Sequence, residues 1–249
     1  MKGLEGRRYL VCGGASGLGE ATAVRLQEEG AHVVIADRNV DAARDLATAL
    51  GGCEYFEYDQ GDPASITALF DAVSSAGEVN GVALVAGVHP GTRALAEVDP
   101  ATFRGVHDVN ALGILLCLQE AARIVARDDR SSLVVIGSVA GIRPVARNAI
   151  YASSKASAQA ITRSVALELA GSGIRVNSIL PGSAITPLAI SQSSLETIRE
   201  EAERVIPLRR AAEASEVASA ICYLLSEDAS YITATELIVD GGLAAGSAS

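Results

Sequence analysis

The sequence predicts a doubly wound α/β protein in which helices flank both faces of a central parallel sheet of about seven strands. Short apolar runs alternate with amphipathic stretches from the first residues onward. The apolar runs are nearly continuous in Val, Ile, Leu and Ala, which indicates burial on both faces and parallel pairing. A glycine-rich turn follows the first run. We expect one domain over residues 1–249, with a lid at about residues 183–208.

Seven apolar runs are the predicted strands. They are Arg8 to Cys12, His32 to Ala36, Glu54 to Tyr58, Gly81 to Ala86, Ser132 to Ile136, Ile174 to Leu180 and Glu236 to Val239. Between them lie the predicted helices. The first carries Ala21, Val24 and Leu26 and ends at Gly30, a glycine in the usual C-cap position. The others are Asp41 to Leu50, Pro63 to Ala76, Pro100 to Arg127, Tyr151 to Ala170 and Glu213 to Leu225.

Composition excludes several classes of protein. The net charge of -10 and the pI of about 4.8 argue against nucleic acid or an anionic membrane as partner. The four cysteines contain no CxxC pair and the three histidines are scattered, so we expect neither a disulfide framework nor a metal site. The N-terminus lacks the apolar region of a signal peptide, and no apolar run reaches the roughly 18 residues of a membrane span. We expect a cytoplasmic protein.

A glycine pattern follows the first strand and predicts a dinucleotide site. Gly13 allows a sharp turn, Gly17 lets backbone amides approach a pyrophosphate, and Gly19 lets the next helix pack closely. The alternative is an ordinary tight turn between strand and helix. Asp37 ends the second strand, where a carboxylate accepts hydrogen bonds from ribose hydroxyls and repels a 2′-phosphate. This favours NAD over NADP. Arg38 weakens the preference, because an arginine beside the ribose is suited to pair with a phosphate. The alternative interpretation of Asp37 is a solvated residue at the end of a strand.

A second set of residues predicts proton-transfer chemistry. Tyr151 and Lys155 lie four residues apart and so share one helix face. The pKa of a tyrosine phenol is ordinarily about 10. A nearby ammonium lowers this pKa, so that the phenol becomes a usable general acid and base at neutral pH. Ser138 follows a buried strand, at the sheet edge where sites form, and is placed to donate to a substrate oxygen. The alternative for Ser138 is a turn serine.

With these residues in hand, the chain resembles a single-domain short-chain dehydrogenase/reductase from about Arg8 to Gly242. The resemblance is carried by the glycines and by Ser138, Tyr151 and Lys155, and further by Asn110, Pro181-Gly182, Thr186 and Asp240-Gly241-Gly242. It implies that Tyr151 transfers the proton and that Lys155 lowers its pKa and binds the nicotinamide ribose. It also implies that Ser138 polarises the substrate oxygen and that Asn110 holds a water linking Lys155 to solvent.

The resemblance also implies the binding sites. Asp59 lies where the family contacts adenine, and Thr186 where it contacts the carboxamide. The expected cofactor residues are Gly13, Ser16, Gly17, Leu18, Gly19, Asp37, Arg38, Asp59, Gln60, Ala86, Gly87, Tyr151, Lys155, Pro181, Gly182, Ala184 and Thr186. The family is usually a tetramer or dimer built on two long helices, here Gly105 to Arg127 and Tyr151 to Ala170, and we expect a homotetramer or homodimer. The small residues Ala244 to Ser249 are expected to fray or to lie at a subunit contact.

Two departures from the family pattern are notable. Cys12 stands where the family usually has threonine, and Leu84-Val85 replaces the usual pair of asparagines after the fourth strand. Both changes remove polar ties near the sheet centre. We expect them to change stability or cofactor affinity and not the reaction class.

The expected pocket is mainly apolar, which favours a hydrophobic secondary alcohol or its ketone. The expected substrate residues are His89, Ser138, Val139, Ala140, Val145, Ile185 and Leu188. His89, Arg143 and Arg147 are suited to bind a polar or anionic group of the substrate. For Arg143 and Arg147 the simpler interpretation is that they are solvated loop residues. Three functions stay open: an NAD(H)-dependent dehydrogenase, an NADP-dependent carbonyl or 3-oxoacyl-thioester reductase, and a nucleotide-binding regulator without chemistry.

Overall fold

Seven parallel strands form the main sheet in the computed structural model, which describes residues 1–246. The strands of the chain are β1 (Arg8–Cys12), β2 (His32–Asp37), β3 (Glu54–Glu57), β4 (Gly81–Leu84), β5 (Ser132–Ile136), β6 (Arg175–Pro181), β7 (Ala184–Ile185), β8 (Ala212–Glu213) and β9 (Glu236–Val239). The sheet order is β3-β2-β1-β4-β5-β6-β9, and each neighbouring pair is parallel. The predicted seven-stranded parallel sheet is confirmed. The short strands β7 and β8 pair with each other apart from it.

The strand order reverses between β1 and β4, which fixes the position of the site. The chain runs outward from β1 through β2 to β3 and then returns to place β4 on the other side of β1. In open parallel sheets, the loops at such a reversal point away from each other and leave a crevice at the carboxyl ends of the strands. The glycine turn that follows β1 and the loop that follows β4 both border this crevice.

Helices lie between the strands as predicted, and two further helices follow β7. They are α1 (Gly17–Glu28), α2 (Val40–Ala49), α3 (Pro63–Ser75), α4 (Pro100–His107), α5 (Gly113–Ile124), α6 (Ala149–Leu169), α7 (Pro187–Ile190), α8 (Leu195–Val205) and α9 (Ala214–Leu225). The long helical region predicted from Pro100 to Arg127 is observed from Pro100 to Ile124, with a π-helical turn over Asp108–Leu112 between α4 and α5. Periodicity alone does not detect an inserted residue of this kind.

The two faces of the sheet bury separate cores. Alternate residues of a strand point to opposite faces, so Leu10 joins the core under α3, α5 and α6, whereas Val11 joins the core under α1, α2 and α9. A third, much smaller cluster lies in the predicted lid, where Ile198, Ala202 and Ile206 pack together with Ala211. The lid is therefore a packed unit with its own apolar centre.

The segment after β7 and the C-terminal residues differ from the other parts of the chain in how far the sequence and the structure describe them. The helices α7 and α8 were not predicted from the sequence, which is rich in Ser, Glu and Arg there. The predicted terminal segment from Ala244 lies partly, at residues 247–249, outside the described residues. Within residues 1–246, no helix has both the length and the apolar character that a bilayer crossing demands.

Candidate active site

A cavity of about 790 Å³ opens at the carboxyl edge of the sheet. It lies within the usual size range of ligand pockets. The expected residues that line it are Gly13, Ser16, Gly17, Leu18, Asp37, Arg38, Asp59, Gln60, Ala86, Gly87, His89, Ser138, Tyr151, Lys155, Pro181, Gly182, Ala184, Thr186 and Leu188. Gly19 and Asn110 are buried and do not line it. The structure thus brings the two predicted sites into one space.

The glycine turn is shaped by close backbone contacts. The Gly13 amide donates to the Ala36 carbonyl at 2.7 Å, and the Gly13 φ is +79°, a value that favours glycine. A Cβ on Gly13 would lie only 2.6 Å from the Cα of Ala86, so the turn sits directly on the end of β4. A Cβ on Gly19 would collide with the Gly13 carbonyl, which explains how α1 packs so close to the turn.

The N-terminus of α1 faces the cavity, and the hydroxyl of its N-cap residue makes no capping hydrogen bond. Ser16 is the N-cap residue, yet its side chain makes no capping hydrogen bond. The free amides of a helix N-terminus attract anions, and a nearby free hydroxyl adds a donor. This end of the cavity therefore fits the pyrophosphate of a dinucleotide.

Asp37 places a carboxylate at the far end of the same crevice. One oxygen accepts from the Ala15 amide and the other from the Asn39 amide, each at 3.0 Å. The carboxylate thereby braces the glycine turn from β2. Each carboxylate oxygen has a second acceptor site, which leaves capacity for ribose hydroxyls. Arg38 is exposed beside it, at the mouth of the cavity.

Tyr151 and Lys155 lie one turn apart on α6, as predicted. The Lys155 Nζ is 5.8 Å from the Tyr151 ring centroid and donates to the Ile136 carbonyl at 2.8 Å. Burial lowers the pKa of Lys155 to about 8. Burial also raises the pKa of Tyr151 above its ordinary value, and the hydrogen bond with Ser138 opposes this rise. The net direction is opposite to the lowering expected from the sequence, because burial of the phenol outweighs the effect of the ammonium, which donates to a carbonyl of β5.

Asn110 sits in the π-helical turn, a feature that often marks functional positions. Its Oδ1 accepts from the Val88 amide at 2.9 Å, and its Nδ2 donates to the Val88 carbonyl at 2.8 Å and to the Ser154 hydroxyl at 3.0 Å. A Cβ on Gly87 would lie 3.3 Å from both Asn110 Oδ1 and Lys155 Nζ. Asn110 therefore holds the loop after β4 close to the lysine, where a side chain at position 87 would make tight contacts.

Gln60 lines the cavity, as expected, and also joins two parts of its wall. Its buried amide donates to the Ala86 carbonyl at 3.1 Å and to the Val109 carbonyl at 2.9 Å, and it accepts from the Tyr58 hydroxyl at 3.0 Å. These bonds tie the loop after β4 to the π-helical turn. They supply polar ties in the region where Leu84 and Val85 replace the asparagines of the family pattern.

Tyr58 was not predicted as a site residue. Its hydroxyl also lies 2.9 Å from the Cys117 Sγ, and both side chains are buried. Polar groups buried beside a strand need hydrogen-bond partners, but Cys117 and Val109 are distant in sequence, so the sequence does not identify these partners.

The predicted substrate residues divide into two groups. His89, Ser138 and Leu188 line the cavity. Val139 is buried, Val145 is exposed, and Ile185 packs against the small core of the lid, so these residues and Ala140 do not line it. The wall beside His89 contains further residues that were not predicted, namely Thr92, Ser191, Gln192 and Ser193. This part of the wall is more polar than the sequence indicated.

Among the described residues, no cluster of three or more His, Cys, Asp or Glu is placed to hold a metal ion.

Known proteins match this chain along nearly its whole length. A family model described as Enoyl-(Acyl carrier protein) reductase matches residues 13–244. Cis-4-hydroxycyclohexanecarboxylate dehydrogenase of Sinomonas cyclohexanicum is 36% identical over 244 residues, covering 96% of this chain and 97% of the relative. The structure of 3-ketoacyl-(acyl-carrier-protein) reductase from Brucella melitensis complexed with NADH is similar, with a TM-score of 0.89, 29% identity and coverage of 97% and 99%. The structure of BdcA in complex with NADPH gives a TM-score of 0.85, 27% identity and coverage of 95% and 94%.

Proposed function

The chain belongs to the short-chain dehydrogenase/reductase family and is an oxidoreductase acting on CH–OH groups, and we propose that it transfers hydride between NAD(H) and a hydrophobic cyclic secondary alcohol or its ketone. The observation that carries this proposal is the convergence of Ser138, Tyr151 and Lys155 in one cavity whose other end holds Asp37. The relative that acts on a hydroxycyclohexanecarboxylate supports a ring alcohol as the substrate class.

NAD is proposed over NADP because of Asp37. A 2′-phosphate bound at the end of β2 would meet this carboxylate, whose two oxygens are fixed by the Ala15 and Asn39 amides. The negative charges of the phosphate and the carboxylate would repel each other. Arg38 supports the alternative of an NADP-dependent carbonyl or 3-oxoacyl-thioester reductase, since it is exposed at the same cavity mouth. Competition of NADH and NADPH for the protein, measured by calorimetry, decides between them, and tighter binding of NADPH would overturn the proposal for NAD.

The bound nicotinamide would accept hydride from the alcohol carbon or return it to the ketone. The protein's own residues handle the proton. Tyr151 takes the alcohol proton during oxidation and returns it to the ketone oxygen during reduction. Ser138 is hydrogen-bonded to Tyr151 and orients the same oxygen. Lys155, protonated at neutral pH because its pKa of about 8 lies above 7, favours the phenolate by its charge.

The raised pKa of Tyr151 gives the two directions opposite pH dependence. A neutral phenol is the required form for ketone reduction, and it predominates at neutral pH. Oxidation requires the phenolate, whose fraction grows as pH rises. We expect the rate of alcohol oxidation to rise with pH up to about 8, where Lys155 begins to lose the proton that favours the phenolate, and the rate of ketone reduction to fall as the phenol ionises.

The assembly and the compartment also belong to this proposal. Phe103, Leu112 and Leu115 on α4, the π-helical turn and α5, and Leu167 on α6, are exposed apolar side chains. Exposed apolar patches on two long helices favour association of copies, so we propose a homotetramer, or a homodimer, in the cytoplasm. Sedimentation of a monomer at micromolar concentration would contradict this assembly.

The decisive experiment compares Tyr151→Phe with Tyr231→Phe. Both variants lose one hydroxyl, but Tyr231 is fully exposed and remote from the cavity. Turnover of a panel of ring alcohols with NAD and NADP is followed by the absorbance of reduced cofactor, and NADH binding is measured separately. We expect Tyr151→Phe to lose at least about a thousandfold in kcat while NADH affinity changes little, because the proton acceptor is gone. Retention of most of the wild-type rate would show that Tyr151 is not the proton-transferring residue. NADH binding without turnover of any alcohol by the wild-type protein would favour the regulator.

A further inference from the structure

His89 lies against the reacting tyrosine. Its imidazole centroid is 4.4 Å from the Tyr151 ring centroid, with the two planes tilted by 44°. His89 follows β4 in the loop that Asn110 fixes through Val88, and it lines the same cavity as Tyr151. A histidine at this position is therefore held rigidly next to the group that transfers the proton.

The hydrogen bonds of His89 define its tautomer. The Gly91 amide donates to the His89 Nδ1 at 3.0 Å. Because a backbone amide only donates, Nδ1 must be unprotonated, and the ring proton of the neutral imidazole is on Nε2. Burial lowers the pKa of His89 more than the side chains of Asn148 and Gln192 raise it. At neutral pH the residue is thus an uncharged ring with one donor, and it has no second proton to release.

A side-chain amide from the segment of residues 183–208 lies opposite this loop. The Gln192 Nε2 donates to the Ser191 hydroxyl at 3.1 Å, and a Cβ on Gly91 would lie 3.4 Å from the Gln192 Oε1. The amide oxygen of Gln192 therefore faces the turn that carries His89. Thr92 and Ser193 extend this uncharged polar wall, whereas Val88, Ile136 and Leu188 provide apolar surface elsewhere in the cavity.

From this arrangement we propose that His89 determines substrate specificity by donating its Nε2 proton to a second oxygen of the substrate. The oxygen takes the position of the Gln192 amide oxygen. The substrate class is then a ring alcohol or ketone that carries another hydroxyl, ketone or carboxylate oxygen, and a plain cycloalkanol is a poor substrate. This inference rests on the proposed function, because it assigns the substrate of the site around Tyr151.

A half-buried donor of this kind discriminates by the hydrogen bond that it makes. A substrate without the second oxygen leaves the imidazole with the Asn148 and Gln192 side chains as its partners and forgoes a hydrogen bond of its own. A substrate that supplies the oxygen gains a hydrogen bond at a point fixed relative to the reacting carbon. Discrimination therefore appears in the binding of the ring and in kcat/KM.

The test uses His89→Phe and His89→Gln. Phenylalanine retains a ring against Tyr151 but has no donor, whereas glutamine retains a donor without the ring. His32→Phe is the matched control, since His32 is an exposed histidine at the start of β2. The ligands are cyclohexanol and the 1,2-, 1,3- and 1,4-cyclohexanediols, compared by kcat/KM and by calorimetric binding to each protein saturated with NADH.

We expect His89→Phe to lose about ten- to hundredfold in kcat/KM and in affinity for the preferred diol, while cyclohexanol changes less than about threefold. His89→Gln should recover part of the loss, and His32→Phe should match the wild-type protein.

An equal loss for diol and cyclohexanol would show that His89 acts only by packing on Tyr151. A wild-type protein that binds cyclohexanol as well as every diol would overturn the proposal. Turnover of cyclohexanol reports on the proposed function separately, and the binding comparison decides the role of His89 even if that turnover is absent.

Discussion

The two ends of the cavity are built in different ways. The cofactor end consists of backbone turns at strand ends, where glycines and the Asp37 carboxylate fix the path of the main chain. The substrate end consists of loops and the short helices of the lid, which pack on a small core of their own. One end is thus fixed by the sheet, whereas the other is joined to the rest of the fold by its small core and by single backbone bonds such as that from the Leu208 amide to the Gly241 carbonyl.

This difference predicts that cofactor binding depends on the turns at the strand ends, whereas substrate specificity depends on the loops and short helices. Substitutions at the cofactor end should disturb binding through main-chain geometry, because a Cβ or a charge there meets backbone directly. Substitutions at the substrate end should change which molecule is accepted with little effect on the fold. Tyr151 and Lys155 stand between the two ends on α6, and they should respond to both.

The largest expected effect is at Lys155, where the two ends meet. Lys155→Met removes the only buried ammonium of a chain that contains two lysines. We expect kcat/KM to fall by about a hundred- to ten-thousandfold, because the charge that favours the Tyr151 phenolate is lost. Lys2→Met, at the exposed N-terminus, is the control and should retain wild-type kinetics.

The same variant should change the pH dependence of stability. The Lys155 pKa is about 8 in the folded protein and has its ordinary value of 10.5 in the unfolded chain, so between these values the unfolded chain binds more protons. The free energy of unfolding must therefore rise from about pH 8 to pH 10.5, by up to about 3 kcal/mol. Urea unfolding of cofactor-free protein should show this rise in the wild type and in Lys2→Met and not in Lys155→Met. Parallel profiles for all three would mean that burial of Lys155 imposes no such cost.

A smaller effect is expected at Asp37, which tests the cofactor end alone. Asp37→Asn removes the charge and keeps an oxygen for one of the two backbone amides. We expect the ratio of NADPH to NADH affinity to rise about ten- to hundredfold because repulsion of a 2′-phosphate disappears. Asp45→Asn on α2 removes an equal charge from an exposed position and should leave the ratio unchanged. If both variants shift the ratio alike, net charge and not the local carboxylate governs the preference.

The same contrast explains what the sequence allowed us to predict. Gly13 and Asp37 are local signals, because each follows a strand that its own composition predicts. The π-helical turn at Asn110 and the hydrogen bonds of Gln60 depend on residues distant in sequence, so no local pattern encodes them. The directions of Val139 and Ile185 likewise follow from packing, which places them outside the cavity lining. A signal for α8 was present and unused, since Ser194 caps the Thr197 amide and Ile198 and Ala202 share one face.

The smallest expected effect is at the core of the lid. Ile198→Ala truncates a side chain in that small cluster, whereas Ile66→Ala truncates one in the large core under α3. Loss of a buried isoleucine from a large core costs about 2–5 kcal/mol, but a small cluster near the surface can collapse around the gap. We expect Ile66→Ala to lower the melting temperature by several degrees and to leave KM unchanged. Ile198→Ala should lower it by only a few degrees and raise the KM for the ring alcohol about three- to tenfold, because the lid positions Gln192 and Leu188 at the substrate. Calorimetric melting and steady-state kinetics on the same preparations provide both values. An equal fall in melting temperature with no change in KM would mean that the lid core is an ordinary part of the fold, and the contrast between the two ends would then fail.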